Sequence, residues 1–410
     1  MAPETTAGSR RRVGWIVLVA ALGYFVDIYD LILFSIVRVK SLVSLGVPSE
    51  ALLDTGVLLL NMQMGGMLVG GVLWGVLGDK RGRLSVLFGS IALYSIANIA
   101  NGFVASVPVY AVLRFVAGVG LAGELGAGIT LVSEIMHKES RGYGTTIVAT
   151  IGILGAVAAT AVGDLFDWRV AYFVGGGLGI ALLLLRIGVY ESGMFQAIRA
   201  QKVARGNFFQ LFRPRARLVR YLSVILIGVP IWYAVGILVT FSPEIGRAMG
   251  MAEAPVAGRA VMWCYIGLAA GDFGSGALSQ VMRSRLKVVT IFLGLTLLSV
   301  AAYFLVGARS LSAFYSVCLV LGFATGYWAV FVTIASEQFG TNLRATATTS
   351  APNFVRGAVV VVTTAFQLAK PALGVSGSAI AVGAVVLLVA FLALRNLGET
   401  YGRDLDFLEE

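Results

Sequence analysis

Apolar residues fall in runs of roughly 20 along the whole chain, and a helical run of that length crosses a ~30 Å hydrocarbon layer. Windows of about 19 residues predict twelve helices, near 14–37, 54–78, 84–104, 107–135, 142–165, 169–190, 220–246, 257–281, 287–307, 310–337, 343–370 and 375–396. Most connections are very short. The exception is the polar, basic segment 191–219, which divides the spans six and six. The expected architecture is an all-α polytopic membrane protein: an N-terminal six-helix bundle (1–190), a cytoplasmic inter-domain loop (191–219) and a C-terminal six-helix bundle (220–410).

Composition agrees with this pattern, since 58% of the 410 residues are hydrophobic and 13% charged, against about 25% charged in an average soluble domain. The opening MAPETTAGSRRR is polar and basic, and the apolar run after it continues past a signal-peptide core without a small-residue cleavage site. It reads as a cytoplasmic tail.

The net charge of +10 raises the question of nucleic acid, but its distribution points to topology. With the N-terminus inside, seven of the 31 Lys+Arg (Arg38, Lys40, Arg169, Arg247, Arg259, Arg309 and Lys370) lie outside, Arg114 and Arg356 lie within spans, and 22 lie on the cytoplasmic side. That is the positive-inside bias, with both termini in the cytoplasm of a cell (inner) membrane. Anionic lipid headgroups are the partners such charges meet, and no nucleic acid is needed to explain them.

The halves resemble each other. SEIMHKESRG and SEQFGTNLRA both place an arginine seven residues after a glutamate, Glu134 to Arg141 and Glu337 to Arg344, at an offset of 203. GVLGDKRGR (75–83) has a decayed counterpart in GALSQVMRSR (276–285). Duplicated six-helix halves are a transporter architecture, with the substrate site near the midplane between them.

Charges inside the spans mark that site, because an ionisable group at the bilayer centre costs at least ~2.5 kcal/mol and faces a partner or a wet cavity. At 1.5 Å per residue, Asp27, Asp30, Arg114 and Arg356 reach similar depths, all roughly 20–24 Å from the inner surface. Asp27 and Asp30, three apart, are expected on one cavity wall, where desolvation and mutual repulsion against a nearby arginine suit them to exchange protons. A fixed aspartate–arginine lock between spans 1 and 4 is the alternative. Glu124 is open between proton site and structural hydrogen-bonding partner; for Asp272 structure is favoured. Arg356 has no acidic neighbour in its span and offers a planar fork for a carboxylate, with Asn353 or Arg114 assisting; pairing with an aspartate across the cavity is the alternative. Tyr29 is a further candidate, and Trp232, Tyr233, Tyr327 and Trp328 are aromatic candidates to line the cavity, with plain packing as the alternative.

GVLGDKRGR, its counterpart and the paired halves resemble the major facilitator superfamily over nearly the whole chain. Within it, Gly23-x-x-x-Asp27-x-Tyr29-Asp30 and RFVAGVGLAGE (114–124) are similar to motifs of the metabolite:proton symporter branch. Asp27, Ile28 and Ala117 stand where that branch has Glu, Trp and Gln. The resemblance implies a proton-coupled symporter importing a small organic anion by alternating access, working as a monomer. Drug exporters of this superfamily carry a Gly-Pro motif in span 5, and 145–164 contains no proline. The alternative is a proton-driven exporter, or a carrier of a cationic or zwitterionic solute or a metal ion.

The loop charges Asp79, Arg83, Glu134, Arg141, Glu337 and Arg344 are expected to brace helix ends as a gate. No enzyme and no cofactor is indicated: the single histidine, His137, lies in a loop, and no nucleotide cradle appears. Met62, Met64 and Met67 suggest a copper ladder, but Met62 and Met64 point to different faces and read as packing. Cys264 and Cys318 read as small core residues.

Overall fold

In a lipid setting every backbone N–H and C=O must be satisfied within the protein, which leaves helices as the economical way to cross. The computed structural model describes residues 7–81, 83–123, 141–191, 208–402 and 407–409, and all regular structure among them is helical. The first six helices are α1 (Ala7–Ser44), α2 (Leu52–Arg81), α3 (Arg83–Asn101), α4 (Val107–Leu121), α5 (Arg141–Leu165) and α6 (Trp168–Glu191). They are followed by α7 (Arg215–Tyr233), α8 (Ser242–Ala248), α9 (Ala257–Val281), α10 (Arg285–Leu305), α11 (Leu311–Thr325), α12 (Trp328–Glu337) and α13 (Thr341–Leu394).

Local chemistry sets several of the ends. Ser284 accepts a hydrogen bond from the Lys287 N–H at 3.2 Å to open α10, and Ser310 accepts one from Ala313 at 3.1 Å to open α11. Such caps satisfy amides that a first helical turn leaves without partners. The spans predicted near 343–370 and 375–396 are the two helices that make up α13, and they meet at Gly374, with φ 67° and ψ −178°. That conformation is open to glycine and strained for other residues.

Two departures from the predicted regularity matter later. Span 7 is helical to Tyr233, passes through a π-helical turn at Ala234–Val239 and resumes as α8. Span 10 is broken between α11 and α12, where Gly326 (φ −78°, ψ 61°) and Tyr327 (φ −127°, ψ 23°) leave the helical region. The described part of span 4 ends as helix at Leu121, and 124–140 lie outside the described residues.

Packing repeats between the halves. α2 packs on α4 as α9 packs on α11, and the halves meet where α2 lies against α13 and α5 against α9. The α2–α4 and α9–α11 seams are glycine-lined. A Cβ on Gly66 would come within 2.1 Å of the Phe115 carbonyl oxygen, and one on Gly118 within 2.0 Å of that of Gln63. The counterparts are Gly267, 2.0 Å from the Leu319 oxygen, and Gly322, 1.9 Å from the Cys264 oxygen. Small residues let two backbones approach this closely, the usual means of packing helices where lipid supplies no hydrophobic drive between them.

The polarity is inverted relative to a soluble protein. Ile96, Val112, Leu184, Leu298, Val361 and Val385 face outward, while Asp30, Arg38 and Arg114 are wholly buried. Seven described helices are long and apolar enough to cross a membrane.

Candidate functional site

Two groups of charged and aromatic side chains lie within the bundle, and α1 contributes to both. The first is internal to the opening helices. Asp30 on α1 is wholly buried, facing Asn98 of α3 and Arg114 of α4. Its Oδ1 occupies space that a side chain at position 175 of α6 would fill: a Cβ on Gly175 would come within 2.1 Å of it. Arg114 donates to the Gln63 side-chain Oε1 and, at 3.4 Å, to the Tyr172 hydroxyl, and its guanidinium lies 5.0 Å from the Phe34 ring centroid. Gln63 is itself anchored by donating to Leu31 O at 3.2 Å. These contacts hold Arg114 within one half.

The second group brings the halves together. Arg356 on α13 is 2% exposed and lies over two indole rings, 5.5 Å from the Trp232 centroid and 5.6 Å from that of Trp328. Its electrostatic neighbours are Tyr24 and Asp27 of α1 and Tyr265 of α9. Arg356 makes no ion pair among the described residues, and its Nε has no hydrogen-bond partner among them. Both indoles stand at helix irregularities: Trp232 just before the π turn, Trp328 at the first residue of α12.

Asp27 and Asp30, expected on one cavity wall, have different neighbours. Residues three apart differ by about 60° around a helix, and α1 is enclosed closely enough for that angle to matter. Asp27 faces the Arg356 group and Asp30 the Arg114 group.

Other expected site residues act as struts in this structure. Tyr29 donates its hydroxyl hydrogen to Ala171 O at 3.0 Å, Tyr233 to Ala379 O at 2.7 Å and Tyr327 to Ile227 O at 2.8 Å. Asn353 donates across the halves to Ala122 O at 3.0 Å and to Thr349 O at 3.3 Å.

Of the expected gate residues, Glu337 pairs with Arg285, at 3.4 Å, and accepts from the Thr400 hydroxyl at 2.7 Å. Asp79, Arg83 and Arg141 stand at or near the ends of α2, α3 and α5. Their side chains, and Glu124 and Glu134 entirely, lie outside the described residues.

The family model for the Major Facilitator Superfamily matches residues 20–364. The chain belongs to this superfamily. Its relatives include the 3-(3-hydroxy-phenyl)propionate transporter of Escherichia coli, 28% identical over 313 residues, covering 70% of this chain and 72% of that one. The gentisate transporter of Corynebacterium glutamicum is 25% identical over 417 residues, covering 95% and 88%. Among solved structures, the proton:xylose symporter XylE has a TM-score of 0.69 at 16% identity, covering 97% of this chain and 98% of that chain, which establishes a common fold.

As a member of this superfamily the chain is a multi-pass membrane transporter, not an enzyme, built of two related six-helix halves. The structure adds residues that sequence reasoning did not place: Tyr24 and Tyr265 near Arg356, Gln63 on Arg114, and an ion pair between Arg38 and Glu244. Tyr24 carries a legible signal, lying three residues before Asp27. Arg38 and Glu244 offer none, because both sit at predicted span ends where charges are ordinary.

Proposed function

We propose that this transporter is a proton-coupled symporter importing a small carboxylate borne on a flat ring. In this reading it sits in the cytoplasmic membrane with both termini inside and works by alternating access. The observation that carries the reading is Arg356, a buried guanidinium lying over two indole faces at the junction of the halves. A carboxylate suits the fork, and a ring suits the indoles, which favour stacked or edge-on aromatic partners. The names of two relatives point the same way, since gentisate and 3-(3-hydroxyphenyl)propionate each join a carboxylate to an aromatic ring. Asp27 and Asp30 are the proposed proton carriers, and the positive-inside distribution supports the orientation.

The test is counterflow in proteoliposomes over a panel of aromatic and aliphatic carboxylates, amino acids and betaines. Wild type is expected to exchange aromatic carboxylates. Arg356→Lys keeps the charge and loses the fork, which should weaken binding by roughly 10- to 150-fold, equivalent to about 1.5–3 kcal/mol. Unchanged affinity in both Arg356→Lys and Arg356→Ala removes Arg356 from the site and the carboxylate reading with it.

A further inference from the structure

Asp272 lies on α9, next to the Gly267–Gly271 seam, and is 8% exposed. Its Oδ1 accepts a hydrogen bond from the Ala329 N–H at 3.2 Å, and the Trp328 N–H is directed at the same carboxylate. These are the first two amides of α12, the half-helix that follows the break in span 10. A helix start leaves such amides without partners, and a chain break inside a membrane makes them costly to leave bare. Asp272 supplies the acceptor from a neighbouring helix rather than from the preceding residue.

The approach depends on glycine. A Cβ on Gly271 would come within 2.2 Å of the Phe323 oxygen, and one on Gly326 within 2.6 Å of Gly271 Cα and 2.7 Å of the Asp272 nitrogen. With no side chains at 271 and 326, α9 and the break lie backbone to backbone, and the short aspartate side chain spans the remaining distance. The amide held at 3.2 Å is that of Ala329, and the residue before it at the start of α12 is Trp328, whose ring lies over Arg356. The path from Asp272 to the guanidinium thus runs through one capped helix end and one indole.

We infer that Asp272 is a positioning and specificity-determining residue: by capping the start of α12 it fixes Trp328 as the wall that selects a ring-bearing carboxylate at Arg356. The inference rests on the proposed substrate site, but the cap is testable without any substrate. It requires an acceptor at the right reach, not a charge. Asp272→Asn keeps the acceptor and the length. Asp272→Glu keeps the charge and adds one methylene. A proton-carrying role for Asp272 predicts the opposite ranking of these two variants.

The first measurement is the Trp328 emission of purified full-length protein, taken as the spectrum minus that of the same background carrying Trp328→Phe. In Asp272→Asn it should match wild type, and in Asp272→Glu and Asp272→Ala it should shift to the red. The second is counterflow selectivity for benzoate over propionate as probes. Asp272→Asn should keep the ratio within about threefold, whereas Asp272→Glu should lower it by about five- to tenfold through the benzoate KM, the size of a lost cap. If Asp272→Ala does not fold, the Asn–Glu pair still decides. Equal behaviour of Asn and Glu, or a better performance by Glu, overturns the inference. If wild type exchanges no aromatic carboxylate, the substrate reading fails, and the Trp328 spectra alone then uphold or reject the cap.

Discussion

Asp30 and Arg114 occupy the interior of one half, with Asn98 and Tyr172 beside them. A carboxylate in that position can take a proton without touching the substrate, and its neutralisation alters what holds α1, α3, α4 and α6 together. Asp27, one turn away, faces Arg356 itself. The two proposed proton carriers thus have different surroundings, Asp30 within one half and Asp27 beside Arg356. Asp30→Asn is expected to abolish accumulation driven by a pH gradient while sparing equilibrium exchange; a variant that still concentrates substrate against its gradient would exclude Asp30 from coupling. At this scale the chemistry was legible in the sequence, because a charge in an apolar span is conspicuous and depth follows from counting residues. What could not be counted was facing. A difference of about 60° on one helix separates two clusters, and only the neighbours decide which side each acid meets.

Helices and their lengths were largely legible, because hydropathy and span length are set by the bilayer. The irregularities were not. A window of about 19 residues averages over the Gly326–Tyr327 break and the π turn at Ala234–Val239, yet these place Trp328 and Trp232. π turns and broken helices recur where function requires an off-register side chain. The glycine seams were visible as composition but not as contacts. They make a sharp prediction: Gly322→Ala drives a Cβ to within 1.9 Å of the Cys264 carbonyl oxygen. Backbone cannot rotate away as a side chain can, so α9 and α11 must separate, at a cost of about 1–3 kcal/mol. Gly294→Ala, in α10, places its methyl in open space with nothing within 4 Å. It should be neutral or stabilising by up to ~1 kcal/mol. Thermal unfolding of the purified protein in detergent distinguishes them, and equal melting temperatures would mean that the seam tolerates repacking.

Among the described residues, a bidentate ion pair joins the halves at the end of the bundle bearing Arg38. Its Nη1 and Nη2 each donate to one Glu244 carboxylate oxygen at 2.7 Å, and it also donates to Leu52 O at 3.2 Å and Thr240 O at 3.3 Å. The guanidinium lies 4.7 Å from the Phe241 centroid, Thr240 donates to the Ser35 hydroxyl at 2.9 Å, and Lys370 of α13 pairs with Asp54 of α2. The described ion pairs at the opposite end, Arg285–Glu337 and Arg217 and Arg220 with Glu409, all lie within the second half. In this structure, therefore, α1 and α2 are fastened to α8 and α13 at the Arg38 end, which the proposed orientation places outside. Opening that end requires breaking the Arg38–Glu244 pair. Because Arg38 is wholly buried, removing its counter-ion leaves an uncompensated charge, and such losses cost about 3–5 kcal/mol. Only the closed state bears that cost, since an open mouth hydrates the arginine, so Glu244→Gln should shift the balance towards opening by about two orders of magnitude or more. Ser35→Cys, buried behind the pair, reports on this when labelled from outside with a membrane-impermeant maleimide. The expected outcome is labelling that rises at least about tenfold in the Glu244→Gln background and returns towards the parent rate when Arg38→Gln is added to remove the stranded charge. Labelling that is unchanged by Glu244→Gln would show that the pair fastens two surfaces which do not part during transport.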